Sequence, residues 1–75
     1  MKKYPHPDVA DRINEVLTDR GSDSWWASKL GLQRKTVMSY RHGYSSMQVE
    51  TLRMVCAISG VRADWILWGS GDKYA

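Results

Sequence analysis

Seventy-five residues with 43% hydrophobic content suffice for one small domain with a modest helical core, and hardly for an enclosed active site as well, so an enzyme is not expected. The lone cysteine, Cys56, excludes an internal disulfide framework and suits a reducing cytoplasm. No apolar run approaches the ~18 residues of a membrane span and no leader pattern opens the chain, which is expected to stay in the cytoplasm where it is made.

The net charge of +3 matters less than its distribution. Asp8, Asp11, Glu15, Asp19 and Asp23 make the N-terminal third acidic, whereas residues 24–49 hold Lys29, Arg34, Lys35 and Arg41 and no carboxylate. A charge run is usually a solvated face. Here it falls on one local motif, which points to an anionic partner.

Residues 1–7 carry two lysines and two prolines and read as a flexible arm. Lys2 and Lys3 could touch a phosphate backbone, although an unstructured terminus is the simpler reading. His6 and His42 have no neighbouring cysteine or carboxylate partner, so no metal site is expected. From Asp8 onwards, Val9, Ile13, Val16 and Leu17 form the stripe of an amphipathic first helix that ends before Gly21. Its carboxylates Asp11, Glu15 and Asp19 fall on the solvent side, where solvation explains them better than acid/base chemistry.

Ser22, Asp23 and Ser24 are capping residues able to open a second helix, whose N-terminus is a natural phosphate site that Asp23 would weaken. Trp26, Ala27 and Leu30 give this helix its apolar face. Trp26 belongs in the core, and Trp25 is expected half-exposed beside it, packing across the domain in preference to a sugar-phosphate wall. Gly31 can end the helix with φ > 0 and Leu32 plugs the turn. In the third helix Val37 and Tyr40 face inward. The outward positions are then Gln33, Arg34, Lys35, Met38, Ser39 and Arg41, all but Met38 able to bond base edges or phosphates. This is a helix-turn-helix pattern.

After the loop at residues 43–46, Ser45 and Gln48 have the spacing of a capping box for a fourth helix, with Val49, Leu52, Val55 and Cys56 on its buried face and Gly60 closing it. Cys56 reads as a small core hydrophobe rather than a redox residue. Tyr44, Ser45 and Ser46 are candidates for DNA-backbone contacts beside the basic helix. A fifth helix over residues 62–68 can bury Val61, Trp65 and Ile66, leaving Leu67 and Trp68 in excess, with Ile58 nearby. Surplus apolar surface on so small a domain marks a partner. Residues 70–75 have the composition of a flexible tail, not of a phosphate loop.

Trp26-Ala27-Ser28-Lys29-Leu30-Gly31-Leu32, then Thr36-Val37-Met38-Ser39-Tyr40, Glu50-Thr51-Leu52, and Gly60-Val61-Arg62-Ala63-Asp64-Trp65-Ile66-Leu67-Trp68-Gly69, resemble the lambda-repressor-like (Cro/C1, XRE-type) helix-turn-helix family, and within it the DNA-binding domains of phage CI-type repressors. The resemblance implies an all-α, five-helix domain over residues 8–69, with its helix-turn-helix at helices 2 and 3. It implies a sequence-specific transcriptional regulator, a phage or prophage repressor in the cytoplasm and nucleoid of a bacterial host. Such a regulator binds double-stranded operator DNA as a homodimer, without a cofactor and with helix 3 in the major groove.

Carried onto this chain, the base contacts are Gln33, Arg34, Lys35 and Ser39, with Met38 beside them. Ser24, Trp25, Thr36, Arg41, His42, Tyr44, Ser45 and Ser46 surround them as backbone contacts, and Ile58, Leu67 and Trp68 are the dimer surface. Where the family often caps helices 3 and 5 with serine or threonine, this chain has Gln33 and Arg62. The alternative function is a protein-interaction module, such as an antitoxin or phage accessory protein, that uses helix 5.

Overall fold

The computed structural model describes residues 6–74. The expected arm therefore lies outside the described residues up to position 5. Pro7 does not belong to it, because it opens the first helix, where its fixed φ is favourable and its missing N–H costs nothing.

Five helices follow: α1 (Pro7–Arg20), α2 (Asp23–Leu30), α3 (Arg34–Arg41), α4 (Val49–Ser59) and α5 (Ala63–Trp68). In α1 the apolar stripe of Val9, Ala10, Ile13, Val16 and Leu17 is buried. The helix stops at Gly21, where an added Cβ would lie 2.8 Å from the Trp25 ring. Ser22 is the residue that caps α2, its Oγ accepting the Trp25 N–H at 3.1 Å. At the other end of α2 Gly31 takes the left-handed conformation, φ 68°, and Leu32 N–H turns back to the Ala27 carbonyl at 3.0 Å. Gln33 opens α3 without a side-chain cap, and Arg62 does the same for α5, which starts one residue later than the sequence pattern suggests.

Trp26 holds the bundle together. It is fully buried, and its indole N–H donates to the Leu17 carbonyl at 2.8 Å, which satisfies the one polar atom it carries inward. Burying some 200 Å² of such a ring is worth roughly 5 kcal/mol before entropy is counted. Around it lie Leu17, Val37, Val55 and Ile66, so every helix contributes to a single core. Helix α1 packs on α3 and α5, α2 on α3 and α4, and α4 on α5.

Helix α4 departs from expectation. The Ser45–Gln48 capping box does not form, since Gln48 is itself the residue before the first turn and Ser45 Oγ bonds instead with Ser39 Oγ at 3.1 Å. Val49, expected inside, is 72% exposed. Met47, one of the loop residues before the helix, packs against the core instead.

The segment expected as a tail is docked at Lys73 and Tyr74. Val61 and Tyr74 form an antiparallel bridge, and the Arg62 N–H donates to the Lys73 carbonyl at 2.8 Å. Lys73 Nζ binds Glu15 at 2.6 Å and Asp19 at 3.4 Å, and lies 4.9 Å from the centre of the Trp65 ring. The acidic face of α1 and an aromatic on α5 thus give the lysine a seat that composition alone could not reveal. No helix among the described residues is long and apolar enough to cross a membrane.

Candidate nucleic-acid interface

The site is built on α2, the turn at Gly31 and α3. With Val37 and Tyr40 buried, a helix turning ~100° per residue points Lys35 most directly outward. Gln33, Arg34, Lys35 and Met38 are exposed, whereas Thr36 and Ser39 are half-buried on the side facing the α3–α4 loop. Among the described residues Arg34 and Lys35 make no ion pair. Their charge is free for an external anion.

Arg41 is placed differently from what the sequence suggests. It was expected to face outward and touch the DNA backbone, but it turns inward and joins three elements. Its Nε donates to Asp23 at the start of α2, Nη1 to Thr18 Oγ1 at 2.7 Å, and Nη2 to the carbonyls of Gly21 at 2.9 Å and Leu17 at 3.3 Å. The Gly21 carbonyl, just past the last turn of α1, has no helical partner, while the Leu17 carbonyl already accepts from the Gly21 N–H and the Trp26 indole, so Arg41 supplies the first with its donor and adds a third to the second. With its side chain only 15% exposed, Arg41 braces the helices and is removed from the backbone-contact set. Asp23 is spent in the same bond. It therefore does not oppose a phosphate as a free carboxylate would.

The other candidate contacts divide by exposure. Ser24, His42, Tyr44, Ser45 and Ser46 are exposed, with the His42 and Tyr44 rings 6.0 Å apart. Trp25 is half-buried against the core, meets Trp26 edge-on at 5.0 Å and carries Lys29 Nζ 5.5 Å from its ring centre.

On α5, Trp68 is 76% and Leu67 39% exposed, and both line an open hollow with His6, Asp8 and Val9. Ile58 does not join that patch. It is partly buried against the core, and its carbonyl accepts from Arg20 at 3.2 Å, near the C-terminal end of α1, while Leu67's accepts from Arg12 at 3.3 Å, nearer the other end.

Sequence reasoning missed two roles of α1. Arg12 Nε donates to the Ile66 carbonyl at 2.7 Å, and Arg20 binds the carbonyls of Ile58 and Ser59, so both arginines cap the C-terminal ends of later helices. A basic residue between core positions is the only local signal, and it names no partner. Arg12 also bonds Asp8, whose carboxyl is held below its ordinary value by that hydrogen bond. Burial pushes the Cys56 thiol up, as suits a packed rather than a reactive cysteine. No group of three or more metal-ligating side chains occurs among the described residues.

Comparison with protein-family models, with curated proteins and with solved structures finds no match to this chain.

Proposed function

We propose that this chain is a sequence-specific DNA-binding regulator that inserts α3 into the major groove, with α2, the Gly31 turn and α3 as its helix-turn-helix. One observation carries the reading: α3 presents Gln33, Arg34, Lys35 and Met38 to solvent from the centre of a stretch, residues 24–49, without a carboxylate. An exposed helix with unpaired cations and amide donors suits groove edges and phosphates. The likeness to lambda-repressor-like proteins supports the same reading and adds its direction, repression by occupying an operator.

A single domain offers one recognition helix and reads only a half-site, and twofold dimers place two such helices ~34 Å apart in successive major grooves. Leu67 and Trp68 are the surface for that dimer, because α3 is needed for DNA and α1 presents Asp11, Glu15 and Asp19 outward with only Lys73 set against them. The exposure of Trp68 also favours a second reading, a module that binds another protein through α5. Fluorescence anisotropy separates the two. The DNA reading requires binding to duplex fragments that weakens steeply with salt; absence of any salt-dependent binding leaves the protein-partner reading.

A further inference from the structure

The exposed face of α3 is divided by what stands beside it. Stepping ~100° per residue, Arg34 and Met38 lie to one side of the outward direction, Thr36 and Ser39 to the other, and Lys35 between them. On the Thr36 side the chain returns as the α3–α4 loop. There Lys35, Thr36, Ser39 and Ser45 line one open hollow of about 370 Å³.

The chemistry of the hollow is one-sided. The Ser45 and Ser39 hydroxyls lie 3.1 Å apart, so one bonds the other and the pair keeps one proton to donate elsewhere. A hydroxyl that accepts one hydrogen bond is polarised into a better donor of the next. The Thr36 hydroxyl and the Lys35 ammonium have no bond or ion-pair partner among the described residues. Three donor groups, one of them cationic, therefore converge on a hollow that contains no carboxylate. A group with several acceptor oxygens and negative charge is what this arrangement takes up.

We infer that Lys35, Thr36, Ser39 and Ser45 form a single binding site for one phosphodiester of the DNA backbone, which removes Lys35 and Ser39 from base reading. The inference rests on the DNA-binding reading and refines it. Recognition of bases then falls to Gln33, Arg34 and Met38, while the hollow fixes the depth and register of α3 against one strand. Non-esterified phosphate shares the chemistry but lacks the duplex that holds the neighbouring groups in place, and the experiment separates these sources.

Duplexes carrying the site selected by the full chain are made with a neutral methylphosphonate at each backbone position in turn, and binding is followed by anisotropy for wild type, Lys35→Gln and Ser39→Ala. For the wild type, one position per half-site should respond to this hollow. Its neutralisation weakens binding roughly tenfold, as expected for a lost hydrogen-bonded charge contact. In Lys35→Gln the same substitution has little further effect, and the slope of log affinity against log salt falls by about 0.9 per half-site. Ser39→Ala weakens all sequences alike without changing base preference. The inference is overturned if Lys35→Gln or Ser39→Ala alters preference at a base pair, or if every methylphosphonate costs the variants as much as the wild type. Either result leaves the DNA-binding reading intact, whereas a wild type that binds no duplex overturns both. Competition by inorganic phosphate as effective as that by scrambled duplex, compared per phosphate, would assign the hollow to the free anion and also overturn the proposal.

Discussion

Arg34 and Arg41 are the same residue type at opposite ends of one short helix, yet they do different work. Arg41 lies where α1 ends and α2 begins, within reach of a carboxylate, a hydroxyl and two carbonyls that accept from it. Arg34, at the other end, stands exposed, with no such acceptors and no ion pair among the described residues. Basic residues on a recognition helix are available to DNA only where the fold leaves them without internal acceptors. Counting charges along α3 would overstate its positive field by the one charge that the fold has already neutralised.

The largest expected effect breaks the anchored end. Arg41→Ala takes the guanidinium from Asp23 and the Gly21 carbonyl, both partly buried, and should cost about 2 to 3 kcal/mol of folding stability, below the cost of breaking a fully buried pair because both side chains keep some solvent contact. For a domain of this size that lowers Tm by ~10 °C or more. Urea denaturation measures it, and a loss under ~0.5 kcal/mol would return Arg41 to the exposed class. Arg41→Lys should recover only part of the loss, since an ammonium cannot span four acceptors as the planar fork does.

Arg34→Ala should show the opposite pattern. Stability stays within about 0.5 kcal/mol of wild type, while operator binding loses about 1 to 3 kcal/mol and discrimination relaxes at one base pair of each half-site. Trp68→Ala tests the dimer surface. Its fold and half-site contacts should persist, but sedimentation with a palindromic duplex should show weaker pairing, and full-affinity binding of a single copy would remove the dimer model.

The smallest effect concerns the docked C-terminal segment. Lys73→Ala should cost no more than about 1 kcal/mol, as for other partly exposed ion pairs, and release the Val61–Tyr74 bridge, visible as faster amide exchange there. The Lys73 pKa is raised, first by its hydrogen bond to Glu15, against an ordinary value of 10.5. Because the folded form holds its proton more tightly, this contribution is complete below the ordinary value and is lost as pH climbs through the raised one. A segment that loosens on acidification to neutral pH would contradict it.

The elements whose identity depends on local pattern were legible in the sequence. Val9, Ile13, Val16 and Leu17 announce α1, Gly31 and Gly60 announce the helix ends by a conformation few other residues tolerate, and Trp26 belongs in the core by its place on one helix face with Ala27 and Leu30. What stayed hidden depends on pairs distant in sequence. Arg41 with Asp23, Arg12 with Ile66, and Lys73 with Glu15 are joined only after the helices have packed. The exposure of Val49 is hidden for a related reason, since Met47 reaches the core from an irregular loop that has no periodicity to read. Gln33, Arg34, Lys35 and Met38 of the expected outward face are exposed, whereas Ser39 is half-buried beside the α3–α4 loop and Arg41 turns inward to acceptors that a neighbouring helix end supplies.

The most direct test of the central claim is selection of bound sites from random duplex DNA by the wild type, Arg34→Ala and Arg41→Ala at matched folded concentrations. The wild type should enrich one twofold-related site. Arg34→Ala should lose its preference at one base pair per half-site, and Arg41→Ala should keep the wild-type preference because its guanidinium touches no DNA. Failure of the wild type to enrich any site, or an unchanged site and affinity for Arg34→Ala together with an altered site for Arg41→Ala, would contradict the account.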